Sequence, residues 1–313
     1  VALLAVLTAL LAGCHSTSSS PPIAPAPTSS GAADFPREMV DARSTSLTLP
    51  AVPLRIVSLM PSVTEILYAL GLQSRIVLDT TACDYPPDAK KKPHIDMFNG
   101  SVESILAQHP DLVIGVDHLN DRMIAASQKA RVPTLVVGAD TLQDVLISFG
   151  MIGHAAGVDA EAAKQVTQLK TALFNVRTAV GNAKSRPKVL MMYGANPIYT
   201  TGPKSFINDL IGFAGGVNAI GTGESAQGDV ISSERVLALR PDVIICSPDV
   251  AAQARRLPGW AEGVPAVRNN RFYTAETALV RPGPRMAEAT EKLARYMHPE
   301  SYTLPGMPPA RRH

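Results

Sequence analysis

The side chains able to do chemistry are few and scattered. The 313-residue chain holds three cysteines, Cys14, Cys83 and Cys246, and no spacing among them resembles a zinc site. Its seven histidines lie apart from one another. No G-x-S-x-G elbow, H-E-x-x-H helix, Walker A loop or paired-cysteine motif occurs. Gly221-Thr222-Gly223 follows a helical stretch, where a dinucleotide fingerprint needs a strand before it. Binding chemistry is better represented. Tyr85, followed by Pro86 and Pro87, stands on a stiff loop and offers a flat face and one hydroxyl. Glu103 and Glu234 each stand two residues after a serine that starts a short helix. An acid there complements the helix dipole by about 0.3–1 kcal/mol, a role that other acids and positions would meet as well. A capping box would place the acid three residues after the serine, so glutamate in both halves suits a shared partner contact.

The elements that carry these residues are set by an internal repeat. Residues 101–114, SVESILAQHPDLVI, and 232–245, SSERVLALRPDVII, are identical at seven of fourteen positions. Each copy predicts a serine-capped helix with one buried face, a Pro-Asp turn and a buried β-branched strand. A strand opens each half, Arg55–Leu59 and Lys188–Met192, and another is expected near 76–80. The fold class that follows is α/β, with two Rossmann-like lobes, each a mostly parallel sheet flanked by helices. The N-terminal lobe is expected over 54–140 and the C-terminal lobe with its tail over 187–313. Residues 141–186 between them have no strand signal. Thr141 caps a first helix that ends at Gly157. Asp159 is expected to cap a second, whose stripe of Val166, Leu169, Leu173, Val176 and Val180 runs about six turns. One long rigid helix joining two lobes predicts small opening motions.

Composition narrows the function classes. Twenty-nine Lys+Arg against 27 Asp+Glu give a net charge of +2, which argues against a nucleic-acid binder. Residues 1–13, VALLAVLTALLAG, are too short to span a membrane and fit the apolar part of a signal peptide. Leu11-Ala12-Gly13-Cys14 resembles a bacterial lipobox, which implies cleavage before Cys14, lipidation of Cys14 and export. Residues 14–53, rich in Ser, Pro, Ala and Thr, read as a flexible tether.

RIVSLMPSVTEILYALG, Asp84-Tyr85-Pro86-Pro87, YGANPIYTTGPKSFINDLIGFAGG and RPGPRMAEATEKLARYMHPE together resemble the helical-backbone (class III) substrate-binding proteins of ABC importers. The similarity runs from Arg55 to Glu300 and is nearest the vitamin B12 (cobalamin)-binding branch. It implies a ligand held between the lobes by loops at the strand ends. By this resemblance the ligand-binding residues are Tyr85, Phe98, Asp117, Tyr199, Gln227 and Arg281, the last able to bond amide carbonyls or a phosphate. Glu103 and Glu234 would dock on arginines of the permease. The implied ligand is cobalamin or another corrinoid, with haem or a ferric siderophore as the alternative, and His118 as the histidine to watch for haem. No metal site of the protein's own and no catalytic cofactor is implied. The implied partners are a permease and ATPase complex, with the membrane touched only through the lipid anchor, and the protein a monomer in the periplasm or on the cell surface.

Cys83 and Cys246 fall in different lobes, where a bond would pin the cleft, so free or buried thiols are expected. Cys83, two residues before Tyr85, is a minor candidate metal ligand. Trp260 is expected to pack structurally. The nearest catalytic alternative, a chelatase-like metal-inserting enzyme, would need a histidine and an acid facing each other in the cleft.

Overall fold

The Pro-Asp of each repeat does more than turn the chain. In the computed structural model, which describes residues 34–221 and 228–302, the Asp111 carboxylate accepts hydrogen bonds from the N–H groups of Leu54 and Arg55 at 2.9 Å. Asp242 accepts from the N–H of Lys188 at 2.9 Å. Each aspartate therefore ties the start of its strand to the start of the strand that opens its lobe, which sets the register of the central pair. The expectations for residues 1–13, Cys14 and Gln227 lie outside the described residues.

The chain enters through a hairpin, β1 (Arg37–Val40) and β2 (Ser46–Leu49), paired antiparallel. This corrects the reading of 14–53 as tether throughout. Asp41 closes the turn by accepting from the N–H groups of Arg43 and Thr45. Ala42 N–H bonds the carbonyl of Val136 at 3.0 Å. Leu49 is buried in the core.

The N-terminal lobe is a parallel sheet of β3 (Ile56–Ser58), β4 (Ile76–Thr80), β5 (His94–Ile95), β6 (Leu112–Val116) and β7 (Thr134–Val137), in the order β5-β4-β3-β6-β7. Its helices are α1 (Pro61–Ala69), α2 (Val102–Leu106) and α3 (Asp121–Lys129). Two helices follow, α4 (Leu142–Ala156) and α5 (Asp159–Ala179). A Thr141–Asp144 capping box starts α4, and Gly157, at φ 76°, ends it in the left-handed region that glycine tolerates. Val158 is the cap of α5, not Asp159, because the Asp159 carboxylate is taken up by Arg37 at 2.7 Å and His154 at 2.8 Å.

The second lobe comprises β8 (Lys188–Met191), β9 (Ile198–Tyr199), β10 (Val217–Asn218), β11 (Val230–Ile231), β12 (Val243–Cys246) and β13 (Phe272–Thr274). Four of these form a parallel sheet, β10-β8-β12-β13, while β9 and β11 form a separate antiparallel pair. The order repeats β4-β3-β6-β7 of the first lobe, with the repeat strands β6 and β12 in the same place. Its helices are α6 (Phe206–Phe213), α7 (Ser233–Leu239), α8 (Pro248–Ala254), α9 (Trp260–Gly263), α10 (Pro265–Arg268), α11 (Thr277–Val280) and α12 (Met286–Met297).

Side chains on the central strands alternate between two cores, as a strand buried on both faces must. Ile56, Leu112, Ile114, Val189, Val243 and Ile245 join one apolar cluster that also takes in Phe149 of α4, Leu173 of α5, Leu210 of α6 and Leu293 of α12. Val57 and Val113 face a second cluster within the first lobe, and Leu190 and Ile244 a third within the second lobe. The largest core is thus shared by both lobes and the helices between them. That sharing couples the lobes through close-packed side chains, which resist large relative motion. No helix among the described residues is long and apolar enough to cross a membrane.

Candidate functional site

A cleft of about 810 Å³ opens between the lobes, lined by residues that follow the carboxyl ends of the strands. Met60 follows β3, Ala82 follows β4, Asp117 follows β6 and Ala139 follows β7. The facing wall carries Tyr193 after β8, Tyr199 on β9, Lys204 before α6, and Arg281 after α11. Open α/β sheets place ligands at this edge because loops there vary freely while the strands hold their ends in place.

The two tyrosines are tied together by backbone. The N–H of Tyr193 donates to the carbonyl of Tyr199 at 2.9 Å, and β11 pairs Val230 opposite Tyr199. Both rings stay half exposed, presenting flat apolar faces. Gly228, at φ 138°, brings the start of β11 against Thr200, whose carbonyl would lie 2.4 Å from a Cβ there. The hydroxyls of Thr200 and Thr201, beside Tyr199 in the same wall, are buried and have no hydrogen-bond partner.

Arg281 is bound to the other lobe. Its Nη1 donates to Glu65 of α1 at 2.9 Å and to Asp84 at 2.6 Å, and its Nη2 reaches the Ala82 carbonyl at 3.4 Å. Arg285 donates to both Glu65 oxygens, at 2.9 and 2.6 Å, and lies 3.9 Å from the centre of the Tyr85 ring. The Glu65 side chain is 1% exposed. Partial burial pushes the Asp84 carboxyl up, but the hydrogen bond and charge of Arg281 outweigh it and hold the group below the usual carboxylate range. The Glu65 bonds raise the Arg285 guanidinium above its ordinary value.

On the opposite side Asp117 is held by Arg43, which comes from the turn of the hairpin, at 2.5 Å. Arg43 also pairs with Asp121, and His118 lies 3.3 Å from Asp117. Asp117, His118 and Asp121 stand close enough to surround a cation, but the guanidinium of Arg43 already sits on both acids. His118 and Asp117 are neighbours on one loop, and no histidine is among the lining residues of the facing lobe.

Asp117, Tyr199 and Arg281 therefore line the cleft, and Tyr85 and Phe98 do not. Tyr85 instead supports Arg285. Phe98 is exposed on a turn in which Asp96 accepts from the N–H groups of Phe98 and Asn99 at 2.9 and 2.6 Å, and its neighbour Met97 lines the cleft. Gly228, next to Gln227, is part of the wall. Glu103 and Glu234 are exposed near the starts of α2 and α7, outside the lining residues. Glu234 is held below the ordinary range by its own N–H and by the Ser232 hydroxyl.

Cys83 and Cys246 are free and buried. Burial pushes both thiols up, Cys246 to about 11, and Cys83 packs against Thr64 and Thr80 outside the lining of the cleft, which leaves it unsuited to bind a metal there. Trp260 is fully buried and donates to Ser233 at 2.7 Å. Sequence reasoning missed Glu65, Arg285 and Arg43, whose partners are distant in the chain, and also Tyr193 and Lys204, which sit within the YGANPIYTTGPKSF stretch already singled out.

Comparison with known proteins gives a consistent picture. Residues 56–279 match the family described as Periplasmic binding protein. The chain is 30% identical over 277 residues, 86% of its length and 87% of the relative's, to the "uncharacterized ABC transporter substrate-binding lipoprotein YvrC" of Bacillus subtilis. Among solved structures, the apo periplasmic heme-binding protein RhuT of Roseiflexus sp. RS-1 superposes with a TM-score of 0.71 at 26% identity, covering 79% of this chain and 98% of that one. The periplasmic vitamin B12-binding protein BtuF of Vibrio cholerae superposes with a TM-score of 0.70 at 25% identity, covering 80% and 99%. Sharing that family's match over most of the folded body, the chain belongs to the periplasmic binding proteins.

Proposed function

We propose that the protein is the extracytoplasmic substrate-binding component of an ABC importer, anchored through Cys14, and that it carries cobalamin or a related corrinoid in the inter-lobe cleft to its permease. The observation that carries the choice of ligand is the charge of the cleft. Its lining holds three acids, Asp117, Asp140 and Asp229, against two bases, Lys204 and Arg281. Such a wall suits a large, nearly neutral ring bordered by amides better than a porphyrin with two free carboxylates. The apolar surfaces of Met60, Met97, Tyr193, Tyr199 and Phe206 can cover the ring, while the exposed ammonium of Lys204 can meet peripheral carbonyls. Haem is the second reading, favoured by the exposed imidazole of His118 at the cleft.

The lobes close slightly on the ligand, and Glu103 and Glu234, one on each lobe, engage the permease. An isothermal titration with cyanocobalamin, run in parallel with hemin, tests the ligand assignment. One-to-one binding of cyanocobalamin tighter than that of hemin is expected. Saturable hemin binding with no cyanocobalamin heat would replace the corrinoid by haem.

A further inference from the structure

We propose that Glu65 is a specificity-determining residue: by taking up Arg281 and Arg285 across the lobe boundary, it keeps the cleft from accepting ligands with free carboxylates. The inference rests on the corrinoid reading of the cleft and deepens it, because it names the property by which related ligands are refused.

Arg281 is the lining residue that an anionic ligand would seek first, since a guanidinium fork matches a carboxylate in two parallel hydrogen bonds. The Nη1 side of that fork already holds two carboxylates of the protein itself. One Nη1 serves both Glu65 and Asp84, and Nη2 turns toward the Ala82 carbonyl. Arg285, four residues on, is drawn onto the same Glu65 by two bonds and held over Tyr85. Two guanidinium groups and two carboxylates leave the cluster without net charge. Glu65 comes from α1 and Asp84 from the loop after β4, while both arginines come from the other lobe, so the neutralisation is built across the cleft's own boundary.

Glu65 is the central member on two grounds. Its side chain is 1% exposed while that of Asp84 is 49% exposed, so water screens the first pair far less. It also receives three of the four arginine–carboxylate bonds of the cluster. A ligand carboxylate that takes Nη1 of Arg281 must displace Glu65 and leave that buried acid to Arg285 alone, a costly exchange, and one that approaches the group elsewhere meets a cluster with no net charge to attract it. An amide carbonyl asks for no such exchange, because it needs a single donor and brings no charge.

The test compares wild type with Glu65→Gln and Asp84→Asn, each titrated with cyanocobalamin, protoporphyrin IX and protoporphyrin IX dimethyl ester. Thermal melts verify that Glu65→Gln is folded; Asp84→Asn alters an exposed carboxylate and keeps the test valid should the first variant unfold. In both variants we expect the diacid to gain about tenfold or more in affinity relative to cyanocobalamin, and the dimethyl ester to gain less than twofold. The diacid gain should shrink as salt rises. No diacid gain in either variant, or an equal gain for diacid and ester, overturns the proposal. Failure of wild type to bind cyanocobalamin would sink the corrinoid reading instead, and the diacid-to-ester comparison separates the two failures.

Discussion

Glu65 and Arg281, which are 216 residues apart in the chain and belong to different lobes, meet at 2.9 Å with the carboxylate almost wholly shut off from water. A buried pair of this kind is a weak source of net stability but a costly one to break, because the surviving charge stays buried without its counter-ion. Glu65→Ala takes the carboxylate from Arg285 and leaves Arg281 only the half-exposed Asp84. Urea unfolding should give a stability lower by about 3–5 kcal/mol. A loss below about 1 kcal/mol would mean that both arginines turn to water and that the contact does not hold the lobes.

Tyr199 and Tyr85 separate by the same logic of position. Tyr199 lines the cleft, so Tyr199→Ala removes a flat face from the ligand and should weaken cyanocobalamin binding by at least about tenfold in a direct titration. Tyr85 touches Arg285 and is outside the lining, so Tyr85→Ala should cost less than Tyr199→Ala. The reverse ranking would mean that the loop after β4 moves into the cleft when ligand arrives.

Leu49→Ala distinguishes a docked hairpin from a tether. Leu49 is 1% exposed and joins the core shared by the lobes, so its truncation should cost about 2–5 kcal/mol in chemical denaturation. A flexible tether would give no change. The hairpin was hard to read because its alternation, Leu47 and Leu49 inward with Thr48 outward, spans few residues inside a long stretch of Ser, Pro and Ala. What fixes it is distant: Arg37 reaches Asp159 and Arg43 reaches Asp117.

The same distinction explains what else was legible. The repeat strands, the serine caps at Ser101 and Ser232 and the α4–α5 boundary at Gly157 are local patterns, carried by residues within a turn or two of one another. The Pro-Asp pairs read locally as turns, and only the sheet discloses that Asp111 and Asp242 also fasten the opening strands. Glu65 gave no local signal at all. It sits on an otherwise buried face of α1 among Val63, Ile66 and Leu67, and its two partners come from the segment between α11 and α12, near the other end of the chain.

Asp79, fully buried on β4, predicts a pH signature. Burial raises its carboxyl from 3.8 to about 6, and only partly do the hydrogen bond and charge of His94 and the charge of Lys92 offset it. One of its oxygens has no hydrogen-bond partner. Tyr68 and Cys83 are the other titratable groups coupled to it. Because the folded state holds this proton more tightly than the unfolded chain, stability should fall as pH rises from about 4 to about 6 and level off above. The contribution is at most about 3 kcal/mol. Asp79→Asn should remove that decline in urea melts at pH 4.5 and 7, and an unchanged slope would assign it to other carboxylates.

Glu103 and Glu234 offer the clearest division between binding and delivery. Both acids are exposed, neither lines the cleft, and each sits at the second position of a serine-capped helix in equivalent places of the two lobes. A lone exposed acid at a helix start adds little to its own helix, because water screens it, so the double Glu103→Ala, Glu234→Ala protein should fold and melt within a few degrees of wild type. Docking makes a sharper demand. A permease that reads one acid from each lobe loses two contacts at once, so uptake of labelled cobalamin in cells should drop by at least about tenfold while the measured ligand Kd moves by less than twofold. Single replacements should fall between, and charge-reversed partners on the permease should restore the double lysine variant. If ligand affinity collapses together with uptake, the glutamates act on the cleft and the docking reading is wrong.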